Sequence, residues 1–410
     1  MRGGTATGGG KNPAHPPPEA TALPEVPADE LQSRLNAAVA SGPDGVVRAV
    51  DLILTEADRR GASDVHFQPA ARVLDVRFRV DGVLVPAAAL QREVAPNVVA
   101  RLKVMAELLT YRTDIPQEGS IRGGGGGAAT DRRVSTFPTV HGENAVVRVF
   151  NPAAGLLELD QVGFPPPLLA TLDGLLRERS GAVFLTGPSG SGKTTTIYAC
   201  LRRLATQEVG RHIVTIEDPV ERVLDGISQS QARPGTEFDF ARGLRSLLRQ
   251  DPEVIMVGEV RDRDTAAVAV EAALTGHLVF STLHAGSACG VVGRLMEMGV
   301  EPYLLTGGVR GILNQRLLRQ SCARCGGAAG GCEGCGGAGY RGRFLVAELL
   351  TPDAALRRAV LRKADSDELE AVARQSGWTT IRDAADRAVA DGRTTTAEVD
   401  RVLGPPPGPK

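Results

Sequence analysis

Between the apolar run AVFLT (182–186) and the helix-forming run that opens at Thr195, the chain reads GPSGSGKT: Gly187, Pro188, Ser189, Gly190, Ser191, Gly192, Lys193 and Thr194. The pattern GxxxxGK[ST] carries meaning when a strand precedes it and a helix follows, as here. Glycines at 187, 190 and 192 let the backbone curl until successive N–H groups point inward at a phosphate. The positive end of the following helix adds to that field. Lys193 would reach the outer phosphates, and the Thr194 hydroxyl would ligate magnesium. The chain has five lysines, Lys11, Lys103, Lys193, Lys363 and Lys410, among 47 Lys and Arg residues, so composition alone does not explain a lysine inside a glycine loop. These residues predict a nucleotide as ligand, bound with Mg2+.

Hydrolysis also needs carboxylates, to hold the magnesium and to orient a water. TIEDPVE brings Glu217, Asp218 and Glu221 just past the apolar run HIVTI (212–216), and Glu259 stands just past VIMVG (254–258). Carboxylates at the carboxyl ends of parallel strands face the crevice where ligands bind. Acidic residues favour loops in any protein, but two clusters at two strand ends beyond a phosphate loop favour a site. ALTGHLVFSTLH sets His277 and His284 on either side of a further apolar run, LVFST (278–282). A lone histidine is most often structural; two bracketing a strand read as site-facing.

Cys322, Cys325, Cys332 and Cys335 form CARC-GGAAGG-CEGC. Four thiolates in two CxxC knuckles suit a tetrahedral Zn2+, against the alternative of free thiols. The short insert is mostly glycine, which eases the turns. No open coordination position is implied, so the zinc would be structural. Cys200 and Cys289 read as small core residues.

The elements that must position these groups follow from patterning. The net charge of −1 gives no bulk field for nucleic acid or anionic lipid, and no basic stripe interleaved with aromatics is present. No apolar run reaches ~18 residues, and the N-terminus has no signal-peptide core. Residues 1–30, rich in Gly, Pro and Ala, predict a disordered tail, and 405–410 another. Residues 31–150 predict a small α+β domain. In it a helix over about 46–60 stops at Gly61, the alternating strand VLDVRFRV meets an Asp81-Gly82 hairpin, and a second helix covers about 96–109. A glycine run, Gly123 to Gly127, interrupts a second hairpin before the strands VSTF and NAVVRVF. Residues 151–160 predict a linker. From there to 404, short apolar runs alternate with helical stretches, which argues an α/β domain on a parallel sheet. Its end, 353–403, reads as two or three amphipathic helices.

These motifs resemble those of the motor ATPases of type II secretion and type IV pilus assembly. TIEDPVE is similar to their aspartate box, LRQDPEVIMVGEVRD to their variant second Walker motif, and ALTGHLVFSTLH to their histidine box. GASDVHFQP, VRFRVDGVL, PQEGSI and PTVHGE resemble the second N-terminal domain of that family, and NQRLLRQSCARC and GYRGRFLVAELL its C-terminal segment. The likeness covers about 46–403.

The resemblance implies a RecA-type P-loop domain with a zinc segment at 322–335 and C-terminal helices, working as a homohexamer with ATP between subunits. It implies that Glu217 or Glu221 polarises water, that Glu259 serves at magnesium beside a glycine at 258, and that His277 and His284 sense the γ-phosphate. It further implies work on a polytopic inner-membrane platform protein that assembles pilin-like subunits. The ring would sit at the cytoplasmic face of the inner membrane, held there through partners and without direct nucleic acid. Retraction-type relatives lack the tetracysteine segment, so the cysteines favour assembly or secretion over retraction; a weakly hydrolysing scaffold or regulator is the reading of another class. The additional N-terminal domain usual in the assembly branch is not expected in this sequence. Arginines that complete a neighbour's site are expected from the first domain, foremost Arg77 and Arg79 on one strand face. Arg133 and Arg148 lie nearby, and Arg245 and Arg249 in the ATPase core are read as bracing the second Walker strand.

Overall fold

A computed structural model describes residues 28–42, 44–121, 131–150, 156–207, 210–233, 235–236 and 238–406. Residues 1–27 of the expected tail, the run Gly123 to Gly127, residues 151–155 of the expected linker and 407–410 lie outside the described residues. Contacts divide the chain into a first unit that ends at Phe150 and a second that begins at Asn151.

In the first unit, α1 (Ala28–Ala40) and α2 (Gly45–Arg59) precede β1 (Asp64–Pro69), β2 (Val73–Val80) and β3 (Val83–Gln91). Then come α3 (Ala95–Met105), β4 (Gln117–Ile121), β5 (Asp131–Thr139) and β6 (Gly142–Phe150). The strands form one antiparallel sheet in the order β3-β2-β1-β6-β5-β4. The alternation of VLDVRFRV holds: Leu74, Val76 and Phe78 are buried with Ile53 of α2 and Leu102 of α3, while Asp75, Arg77 and Arg79 face outward. Asp81 and Gly82 turn β2 into β3 with φ of 49° and 81°, the paired left-handed residues of a two-residue hairpin. Helix α3 is shorter than its pattern. It ends at Met105, Glu107 takes a φ of 58°, and Leu108 N–H bonds back to Lys103 O, closing the helix with a left-handed cap.

The second unit opens with α4 (Pro166–Leu176), β7 (Gly181–Thr186), α5 (Lys193–Gln207), β8 (Ile213–Glu217), β9 (Ser228–Gln231) and α6 (Phe240–Leu247). It continues through β10 (Val254–Val257), α7 (Arg263–Leu274), β11 (Leu278–Leu283), α8 (Ala288–Glu297), α9 (Pro302–Gly308), β12 (Val309–Ser321) and β13 (Tyr340–Leu350). It closes with α10 (Ala354–Leu361), α11 (Ser366–Gln375), α12 (Ile381–Ala390) and α13 (Thr396–Leu403). The sheet order is β13-β12-β7-β11-β10-β8-β9, parallel throughout except for β13.

Strands β7, β8, β10 and β11 are buried along their whole length, as strands covered on both faces are. One face carries α7 and α8 through Ala269, Val270, Val291 and Leu295; the other carries α4 and α5 through Leu172, Leu175, Ile197 and Leu201. Two features differ from the sequence expectation. NQRLLRQS and YRGRFLVAELL form a long antiparallel pair, β12 with β13, which extends the parallel sheet. The C-terminal stretch is four helices among the described residues, not two or three. No helix there is long and apolar enough to cross a membrane.

Candidate nucleotide site and metal centre

Strand β7 lies between β11 and β12 and delivers the glycine loop at its carboxyl end. Gly187, Gly190 and Gly192 adopt φ of 142°, 74° and 90°, so all three use the freedom that glycine alone has. At Gly187 space is also short: a Cβ would lie 2.5 Å from the Gln315 carbonyl oxygen and 2.7 Å from Ser191 Oγ. The loop is pinned from below by Gln315, whose Nε2 donates to Ser191 O at 2.8 Å. Helix α5 begins at Lys193, so its unpaired first-turn N–H groups face the loop. Lys193 Nζ donates to Gly187 O at 2.8 Å and Pro188 O at 3.0 Å. Burial lowers its pKa; Arg316 lowers it further, and Glu259 opposes both. Thr194 is half-buried and Thr195 exposed beside it. Curled glycines, a lysine over the loop and a hydroxyl at the helix start match what a magnesium-bound triphosphate requires.

Glu259 follows β10 and sits within electrostatic reach of Lys193. Arg261 Nε holds one of its oxygens at 2.7 Å, and His284 Nε2 lies 3.2 Å from the other. Gly258 fits tightly: a Cβ there would stand 3.3 Å from both Glu217 Cα and Ile216 O. Glu217, at the end of β8, is buried and accepts three hydrogen bonds: from Tyr198 Oη at 2.5 Å, Thr215 Oγ1 at 2.6 Å and Gln229 Nε2 at 3.0 Å. Burial and the bond to Glu217 push the Tyr198 phenol well up. Glu221 is exposed.

The two histidines do not converge. His284 follows β11 at its carboxyl end, near the loop, where Ala285 exchanges two hydrogen bonds with Thr186 Oγ1 at 3.0 Å each. His277 precedes the same strand, which pairs Leu278 with Gly181 and Leu283 with Thr186. It is thus at the opposite end of the strand, roughly 23 Å away over seven residues at ~3.3 Å per residue. Its Nδ1 lies 3.0 Å from Ala272 O at the end of α7. Of the two histidines expected to sense the γ-phosphate, the strand between them brings only His284 to the loop of its own chain. Sequence reasoning passed over Gln315, Arg316 and Tyr198, since no motif of phosphate chemistry includes them; polar residues inside a buried strand were the available signal.

Arg77 and Arg79 share the outward face of β2, as alternation required. Arg77 pairs with Asp75 at 2.7 Å and Arg79 with Asp64 at 3.4 Å. Register places Arg79, Asp64, Arg148 and Arg133 side by side across four strands, with Arg148 3.1 Å from Asp64. Arg249, at the end of α6, donates to Arg245 O and Ser246 Oγ at 3.0 Å each, and Arg245 approaches Asp264 only to 4.0 Å.

The four cysteine sulfurs all lie within 4.8 Å of one another. Cys322–Cys332 and Cys332–Cys335 are 3.8 Å apart, and Cys325–Cys335 3.9 Å. Sulfurs at ~2.3 Å from one tetrahedral zinc stand ~3.8 Å apart, so this set has the size of a zinc site. Burial raises the Cys335 thiol, but N–H groups of Cys332 and Gly339, at 3.1 and 3.2 Å, outweigh it and lower the thiol to about 6. The short insert closes because Gly331 has a φ of 61° and a Cβ there would meet the Gly337 backbone at 2.4 Å.

The comparisons agree with this geometry. A sequence model of the family described as Type II/IV secretion system protein matches residues 40–401. The chain is 44% identical over 363 residues to type II secretion system protein HxcR of Pseudomonas aeruginosa, covering 87% of this chain and 77% of that one. It is 40% identical over 398 residues to type II secretion system ATPase E of Vibrio cholerae, covering 92% and 78%. Among solved structures, the pilus retraction motor PilT with bound ADP aligns with a TM-score of 0.60 at 28% identity, over 86% of this chain and 96% of that chain. The Legionella pneumophila ATPase DotB aligns with a TM-score of 0.66 at 23% identity, over 86% and 94%, a likeness of fold. With a loop, carboxylate and histidine in the arrangement described, the chain belongs to the type II/IV secretion system protein family and is one of its P-loop motor ATPases.

Proposed function

We propose that this chain acts as a homohexamer whose ATP-driven strokes work a polytopic inner-membrane platform protein, and so assemble pilin-like subunits for secretion or a pilus, at the cytoplasmic face of that membrane. The observation that supports the chemistry is Glu259 between Arg261 and His284, within electrostatic reach of Lys193. Magnesium, when bound, would supply positive charge against the charge developing on the phosphates. Thr194 and Glu259 are the residues offered to it. His284, bonded to Glu259, reports on the occupant of the loop, and Glu221 is the carboxylate assigned to orient water. Glu217 ties β8 to α5 through Tyr198, and His277 closes α7. The four cysteines hold a structural zinc. Their presence favours assembly or secretion over retraction.

Arg79, with Arg148 and Arg133, is the group we assign to the neighbouring subunit's nucleotide. An arginine in that role adds roughly a thousandfold to turnover in other P-loop systems. Mixing an Arg79→Ala protein with a Lys193→Ala protein tests this. Each is expected to be dead alone, and mixed rings to regain part of the activity. Mixed rings that stay dead at every ratio, while both proteins assemble, refute catalysis across subunits.

A further inference from the structure

Strand β12 runs beneath the phosphate loop, with Asn314 registered against Thr186, the last residue before it. Asn314, Gln315 and Arg316 are all buried there, where a central strand usually carries apolar residues. The fold explains two of them. Gln315 pins Ser191 O. Asn314 Nδ2 donates to Glu348 Oε1 at 2.8 Å, and Glu348 also accepts the first N–H groups of α8 and α12, from Ala288 and Ile381.

Arg316 is left over. It is 9% exposed, and its guanidinium meets only neutral oxygens: Asn314 Oδ1 at 2.5 Å, Gln315 O at 3.0 Å and Gly286 O at 3.1 Å. Among the described residues it has no carboxylate within ion-pair distance. Its counter-charge is Glu348, which acts on it without contact, through Asn314. A buried cation with no carboxylate in contact is costly, and a neutral side chain could donate to these oxygens at lower cost. Two further facts give the charge a direction. Arg316 Nη1 lies 3.1 Å from where a Cβ on Gly187 would stand, directly behind the loop. Its charge also acts on Lys193, so the loop has two neighbouring cations, with Glu259 acting on Lys193 and Glu348 on Arg316.

On the nucleotide reading above, we infer that Arg316 is a second phosphate-compensating cation of this site, acting from behind the loop and favouring a triphosphate over a diphosphate. A triphosphate carries more negative charge, so a fixed cation at the loop weights affinity toward it. Arginine suits the position: it stays charged when buried, and its planar fork joins two segments at once. The second segment, at Gly286, is two residues past His284, so the same guanidinium holds the histidine turn against the loop.

The test is equilibrium binding of ADP and of the non-hydrolysable analogue AMP-PNP, with magnesium, to the full chain. Wild type is compared with Arg316→Gln and Arg316→Lys, and thermal unfolding checks that each variant folds. Arg316→Gln is expected to weaken AMP-PNP about tenfold more than ADP. Arg316→Lys, which keeps the charge and loses the fork, should hold the AMP-PNP to ADP affinity ratio within about threefold of wild type. Equal weakening of both nucleotides in Arg316→Gln, or a lysine variant with no better ratio than glutamine, overturns the inference and makes Arg316 a strut. If Arg316→Gln does not fold, Arg316→Met takes its place in the same comparison and the same split between AMP-PNP and ADP decides. Wild type binding neither nucleotide would sink the reading of the site and this inference with it; wild type binding both, with no split among variants, would sink only the inference.

Discussion

At Gly187 two constraints meet: a left-handed φ of 142° and a carbonyl of β12 only 2.5 Å from where a Cβ would be. Alanine there must distort the loop or lift it off Gln315. Gly187→Ala is expected to cost about 1–3 kcal/mol of stability and most of the nucleotide affinity, read by urea unfolding and AMP-PNP titration. The carboxylates separate by the same reasoning. Glu217→Gln leaves Tyr198, Thr215 and Gln229 sharing one weaker acceptor, so it should lower stability by about 1–3 kcal/mol. Glu259→Gln should leave stability near wild type and abolish turnover with ATP still bound. A Glu259→Gln protein that hydrolyses ATP normally would contradict the division.

The phosphate loop was legible in the sequence because its residue types and spacing are themselves the chemistry. The two glutamates were not separable there, since what buries Glu217 arrives from α5 and β9, remote in sequence. The two histidines looked alike because residue types on either side of a strand do not reveal that only its carboxyl end meets the phosphate loop.

The strand pair β12–β13 has one end under the phosphate loop and the other at the cysteine knuckle. Its far end is held by α13: Arg319 donates to Glu398 at 2.9 and 2.7 Å and lies 4.1 Å over the Tyr340 ring, while Arg401 grips the same carboxylate at 2.7 Å. Burial would raise Glu398, but the bonds from Arg401 and Arg319 outweigh it and hold its pKa below the ordinary 4.5. A carboxyl lowered in the folded state stabilises above its unfolded pKa, and that contribution is lost as pH falls through the folded value. The melting temperatures of wild type and Glu398→Gln should therefore differ most above about pH 5 and converge as pH falls through the folded value. A gap that widens in acid would refute the clamp.

Replacing Cys322 and Cys325 together should release about one zinc per chain and loosen 318–345 while AMP-PNP still binds. Elemental analysis of protein purified without chelator decides it, and protein free of zinc contradicts the site. The parallel strands were readable as continuous apolar runs. This pair was not, because buried Asn314, Gln315 and Arg316 interrupt the pattern that would have marked β12. The four terminal helices were undercounted because each is short, between eight and ten residues, and is set off by its own cap, such as Asp353, Asp365, Thr380 and Thr395.

The molecule as a whole joins an antiparallel α+β unit, with an arginine row across its outer face, to a parallel-sheet ATPase unit. Arg79 and Arg148 in the row also read as partners of Asp64, and only turnover in mixed assemblies separates the two roles. The broad architecture was legible because periodicity changes near residue 165, from strands with one wet face to strands with none. Everything assigned to the ring depends on one prior claim, that the loop of the second unit hydrolyses ATP. Steady-state phosphate release from the purified full chain, wild type beside Lys193→Ala, tests that claim most directly. The account predicts magnesium-dependent release from wild type and none above background from a Lys193→Ala protein with an unchanged melting profile. Equal release from both proteins, or none from a folded wild type with magnesium and ATP, would contradict it.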